Sequence, residues 1–147
     1  MKNSLKLVAS VIMLCAMNFD VSASDYQYQP EFSEQDRNKV IWEVYHICDE
    51  VWYHKFSKNL KEEEIEDITR AYIDSLGKLI EKLKDMVILE GANANFMAET
   101  MRNRNADDRL LRRLQKDSDK VRIPLREALE SAKFLREDLL TGNAQLK

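Results

Sequence analysis

From Ile41 to Phe56 the apolar residues recur at steps of three and four: Ile41, Val44, Tyr45, Cys48, Val51, Trp52 and Phe56. That period is the stripe of an amphipathic helix. Ser33 is a suitable N-cap for it, Asp36 favours its positive end, and residues 57–59 are its expected end. A second stripe follows through Ile65, Ile68, Tyr72, Leu76, Leu79, Leu83 and Met86. Asn59 with Glu62 resembles a capping box at its start, and Glu62, Glu63 and Glu64 occupy its first turn. Gly77 inside this helix costs about 1 kcal/mol against Ala and marks a bend or a close approach. Gly91 is the expected C-terminal stop.

The third pattern is the most regular. Leu111, Leu114, Ser118, Val121, Leu125, Ala128, Ala132, Leu135 and Leu139 form a heptad seam of the coiled-coil kind with small residues at Ser118, Ala128 and Ala132, which suits close helix approach. Pro124 removes one helical hydrogen bond, leaving either one long kinked helix or two helices with a break over residues 118–123. Thr141-Gly142 closes the element. Between the second and third patterns, residues 92–108 read either as a loop followed by a helix or as a helix from Asn93 that frays.

Only three glycines and two prolines punctuate the chain, with no hairpin dipeptide and no β-branched alternation, so a sheet is not expected. The pattern predicts an all-α fold: an antiparallel three- or four-helix bundle over residues 33–141, with an extended lead-in at 24–32 and a short tail at 142–147.

The first residues change the picture of where this bundle resides. Lys2 and Lys6 precede an apolar run, Leu7 to Met17, that is too short to span a bilayer. Val21-Ser22-Ala23 supplies the small residues a signal peptidase accepts, so residues 1–23 read as a cleaved secretory signal peptide. Leu14 ahead of Cys15 argues against acylation there, and Asp20 argues against a retained anchor. Export to a periplasmic or external compartment is expected, with no stable membrane insertion after cleavage. Cleavage would leave Cys48 as the sole cysteine, so no internal disulfide is available and stability rests on packing.

Candidate chemistry concentrates in residues 44–56, VYHICDEVWYHKF, which hold both histidines. With about 100° per residue and Ile41 at the centre of the buried face, Cys48 and Trp52 fall within roughly 20° of that centre, and His46, Glu50 and His54 fall on the opposite side. A Cys-His catalytic pair is therefore not formed, and Cys48 reads as a small buried hydrophobe. His46 and His54 stand about 12 Å apart along the axis, so a divalent ion there would take one histidine with Glu50 and need further ligands from elsewhere. Trp42 and Tyr53 border the core stripe as packing residues or as an interface patch.

Charge is lopsided. Residues 101–126 carry nine basic side chains against four acids, a net +5, and residues 61–70 carry five acids against Lys61 and Arg70, a net −3. The Arg-rich helix suits an acidic protein surface. Nucleic acid is not expected, because the exported chain is acidic overall and its basic stretch lacks interleaved aromatics. No nucleophile elbow, H-E-x-x-H, C-x-x-C or Gly-rich phosphate loop occurs, and C-x-x-C-H for haem is absent. The expectation is a non-enzymatic, cofactor-free protein that binds another protein in an adaptor, inhibitor or chaperone-like role. Its candidate contacts are Arg109, Arg112, Arg113, Lys116, Trp42 and Tyr53. The alternative is a bundle that binds a small ligand, or a divalent metal at His46, Glu50 and His54. The heptad seam is satisfied either within the chain or by a second copy, as a homodimer.

Overall fold

Ser33 caps the first helix as its position predicts. Its Oγ accepts from the Asp36 amide at 3.1 Å and donates to the Asp36 carboxylate at 2.7 Å. The computed structural model describes residues 27–52, 60–144 and 146, and contains three helices and no strand among them: α1 (Glu34–Trp52), α2 (Glu62–Asn103) and α3 (Asp108–Thr141). The signal-peptide segment 1–23, Asn59 of the expected capping box, and Tyr53, His54 and Phe56 lie outside the described residues. No helix among the described residues is long and apolar enough to cross a membrane.

Gly91 does not stop α2. The helix runs for 42 residues, about 63 Å, straight through both Gly77 and Gly91. A glycine ends a helix only where the chain needs a left-handed turn, and here that need arises later. Asn105 takes φ 56° in the connection, and the Ala106 amide returns to the Met101 carbonyl at 3.0 Å. Asp107 then caps α3, accepting from the Leu110 amide at 2.8 Å. Residues 92–108 are thus helix as far as Asn103, then a four-residue turn. Pro124 lies within a single helix with no break. Gly142, at φ +75°, closes α3 after Thr141. At the other end of α2, the Glu64 carboxylate accepts from the Lys61 amide at 2.8 Å and does the capping expected of Glu62.

The short turn lays α3 antiparallel against α2, and the two share most of the tertiary interface. The register shows in two close approaches: Gly77 meets Arg136 and Gly91 meets Arg122. The main core joins Val40, Val44 and Val51 of α1 to Leu76, Leu83 and Met86 of α2 and to Leu125, Leu135 and Leu139 of α3. Burying Leu-sized side chains contributes about 1.5–3 kcal/mol each. A smaller cluster of Tyr28, Ala94, Met101 and Leu114 lies toward the turn, where Tyr28 of the lead-in joins the helix pair.

The rotation of α1 differs from the sequence pattern. Its buried line is Val40, Val44 and Val51, whereas Ile41 is half-buried and Trp52 is 48% exposed. Measured by the same wheel, the buried centre sits roughly 80° from Ile41. The cause is the breadth of the apolar arc. Val40, Val44, Ile47 and Val51 also recur at helical spacing, and the slim valines seat against α3, leaving the indole and phenol rings outside.

Candidate functional site

That rotation gives α1 an aromatic outer face. Trp42, Tyr45 and Trp52 are 62%, 44% and 48% exposed, and their spacing of three and seven aligns them along one side of the helix. The Trp42 ring stacks on His46, centroids 4.6 Å apart and planes 11° from parallel. His46 Nε2 lies 3.3 Å from one Glu50 oxygen, and the other Glu50 oxygen accepts from the Tyr72 hydroxyl at 2.8 Å. A line of contacts therefore runs from the exposed indole through His46 and Glu50 to α2. It fixes the Trp42 ring, reducing the rotamer entropy a partner would otherwise have to freeze. Burial, and then the Glu50 carboxylate, push the Tyr72 phenol well above the ordinary tyrosine range.

The same contacts bear on the metal alternative. Both Glu50 oxygens are engaged, and no group of three His, Cys, Asp or Glu side chains converges among the described residues. Cys48 is a free, half-buried thiol whose pKa is raised by burial and then by the Asp49 carboxylate, so it is protonated at neutral pH.

Arg109, Arg112, Arg113 and Lys116 are all exposed and project along one outward stripe of α3 near the turn. Arg113 reaches Asp117 at 4.0 Å; the other three have no ion pair with a described residue. The structure does not bring this stripe to the aromatic face. Phe32 meets Glu90 and Glu50 meets Tyr72, so Trp42 lies near the level of residue 80 on α2. Arg112 lies near the level of residue 101, about 30 Å farther along the axis at about 1.5 Å per residue. The two candidate surfaces are separate.

The sequence pattern passes over a third feature. Glu90 and Ser118 are fully buried, at 0% and 1% exposure. The Tyr28 hydroxyl donates to Glu90 Oε2 at 3.1 Å and the Phe32 amide to Oε1 at 3.0 Å, and Asn93 Nδ2 donates to the Gln29 carbonyl at 2.9 Å. These bonds strap the lead-in across α2. Burial, then the Glu90 charge, raise the Tyr28 pKa, while its nearness to Ser118 and Asn93 lowers it in part. The Ser118 hydroxyl nevertheless makes no hydrogen bond of good geometry. Beside it, between α2 and α3, opens a cavity of about 310 Å³ lined by Ser118, Arg122, Leu111, Leu114, Glu99 and Arg102, among others.

No family model matches this chain, and no curated protein or solved structure matches it either.

The missed polar layer had a signal. Two heptads separate Leu76 from Glu90 (90 − 76 = 14) and Ser118 from Ala132 (132 − 118 = 14), so Glu90 and Ser118 repeat the fully buried Leu76–Ala132 positions with polar groups. The expectation of a helix stop at Gly91 ended the buried stripe at Met86 and left Glu90 outside it.

Proposed function

We propose that this chain is an exported, non-enzymatic helical-bundle protein that binds another protein through the outer face of α1. The observation that carries the reading is the alignment of Trp42, Tyr45 and Trp52, each between 44% and 62% exposed, on one side of a 19-residue helix. Rings of this kind supply large contact area at low entropic cost and dominate interface energetics. Scattered single exposed aromatics would need no explanation; three in line favour a docking surface. The exposed stripe at Arg109, Arg112, Arg113 and Lys116 supports an acidic partner, which it would steer and contact at a second point. Export rests on the basic head, the short apolar run and Val21-Ser22-Ala23.

The test is native mass spectrometry of the protein taken from its own compartment, repeated on Trp42→Ala/Trp52→Ala and Arg112→Ala/Arg113→Ala. A chain beginning at Ser24, in a complex of fixed stoichiometry that the aromatic variant loses and the arginine variant makes less salt-sensitive, is the expected result. A complex retained in full by the aromatic variant, or a bare chain in every preparation, overturns the reading.

A further inference from the structure

Two arginines of α3 cross two glycines of α2. The Arg136 guanidinium covers Gly77 and the Arg122 guanidinium covers Gly91, each about one van der Waals contact from where a Cβ would stand. Both pairs are 14 residues apart on their helices (91 − 77 and 136 − 122), so the molecule contains its own comparison. Arg136 Nε donates to the Ile73 carbonyl at 3.2 Å, the carbonyl four residues before its glycine. Arg122 Nε is buried and donates to no described residue. Ser118, four residues earlier and so on the same face of α3, is 1% exposed, and its hydroxyl, although near the Tyr28 hydroxyl, makes no hydrogen bond of good geometry with a described residue. The two side chains line one cavity of about 310 Å³.

Buried donors without acceptors are costly. Two of them converging on a cavity whose Arg102 and Arg122 outnumber Glu99 mark a place for an anionic acceptor. The walls at Ala98, Leu111 and Leu114 are apolar, and at about 30 Å³ per water the space holds roughly ten waters. That suits a short chain or a single ring bearing one acid group.

We propose that this cavity binds a small organic monocarboxylate, its oxygens taking the Arg122 Nε–H and the Ser118 O–H and its apolar body lying against Leu111 and Leu114. The site is separate from the aromatic face of α1: Ser118 stands near the level of residue 95 of α2, about 20 Å along the axis from the level of Trp42 at about 1.5 Å per residue.

Hexanoate and benzoate are the probes, with acetate, hexanol and inorganic phosphate as controls, read by the Arg122 Nε–Hε resonance of the labelled protein. The expected result is a saturable shift with hexanoate or benzoate, with acetate at least about tenfold weaker for want of an apolar body. Arg122→Lys should weaken hexanoate by about tenfold or more, the loss of a charged hydrogen bond. Ser118→Ala should weaken it severalfold with its melting temperature unchanged. No movement of the wild-type resonance with either acid at millimolar concentration means that water alone satisfies the two donors, and overturns the proposal. Equal binding of hexanol or of phosphate overturns it as well. The wild-type resonance decides these outcomes even where a variant fails to fold.

Discussion

Replacing Glu90 with Leu separates two roles that one buried carboxylate plays. On the helix side, Glu90 occupies a position equivalent to the fully buried Leu76, and its charge is removed from water with hydrogen bonds from only a phenol and one backbone amide. An apolar side chain there lifts a desolvation penalty that amounts to several kcal/mol for a buried ion. On the lead-in side, Glu90 accepts two of the three hydrogen bonds that tie residues 27–32 to α2, the third running from Asn93 to Gln29. Bonds to a charged acceptor contribute about 1.5–3 kcal/mol each, so the strap loses about 3–6 kcal/mol before relaxation. Detachment lets water reach Tyr28 and the Phe32 amide and returns part of that, leaving an opening free energy lower by roughly 3 kcal/mol. The helices should therefore keep their thermal midpoint, or gain a little, while the strap comes loose. Native-state hydrogen exchange reads the two events separately: Phe32 amide exchange should accelerate by about a hundredfold, at about 1.4 kcal/mol per decade, while the amides of Leu83 and Leu129 keep their protection. Unchanged Phe32 exchange would refute the strap. A collapse of protection throughout α2 and α3 would show instead that the carboxylate holds the helix pair itself.

The two helical glycines should respond to alanine in a fixed order. Gly91→Ala places its Cβ 3.5 Å from Arg122 Nη2, an ordinary contact, and should raise urea stability by about 1 kcal/mol from helix propensity; Gly77→Ala meets Arg136 Nε at 3.4 Å while that nitrogen is held to Ile73, and should gain less. A larger gain at Gly77 would contradict the arginine-crossing geometry. Cys48, Tyr28 and Tyr72 all have folded pKa values raised above their unfolded ones, so the folded chain keeps protons that the unfolded chain releases at about pH 9 and 10. Stability from these groups is complete below that range and falls as pH rises through it. The urea midpoint should decline above about pH 10, and Tyr72→Phe should flatten the decline; a midpoint level to pH 11 in the parent chain would sink the argument.

The chain's local pattern determined that it is helical and where several helix ends lie. Ser33 and Gly142 act through their own backbone neighbourhoods, so their roles are legible from a few residues. The seam from Leu111 to Leu139 was legible because its period is set by the helix itself, and all of its positions except Leu111 and Val121 are buried. Pro124 left one kinked helix or two equally compatible with that seam, and the single helix Asp108–Thr141 was settled only by the structure. The exposed positions of Arg109, Arg112, Arg113 and Lys116 followed from the same period.

What depended on neighbours was decided only in three dimensions. α1 is apolar over so wide an arc that two different stripes fit its sequence, and contact with α3 selected the valines, turning Tyr45 and Trp52 outward. Gly91 is permissive toward a turn but does not impose one, and continued packing against α3 carried the helix past it. Glu90 became a buried anchor only because a lead-in distant by 58 and 62 residues supplies its donors. The missing partner of Arg122, and the cavity beside it, exist only once two helices are set in register. Periodicity fixes which residues lie along a helix, whereas the rotation of that helix and the pairing of its polar groups are properties of the surfaces it meets.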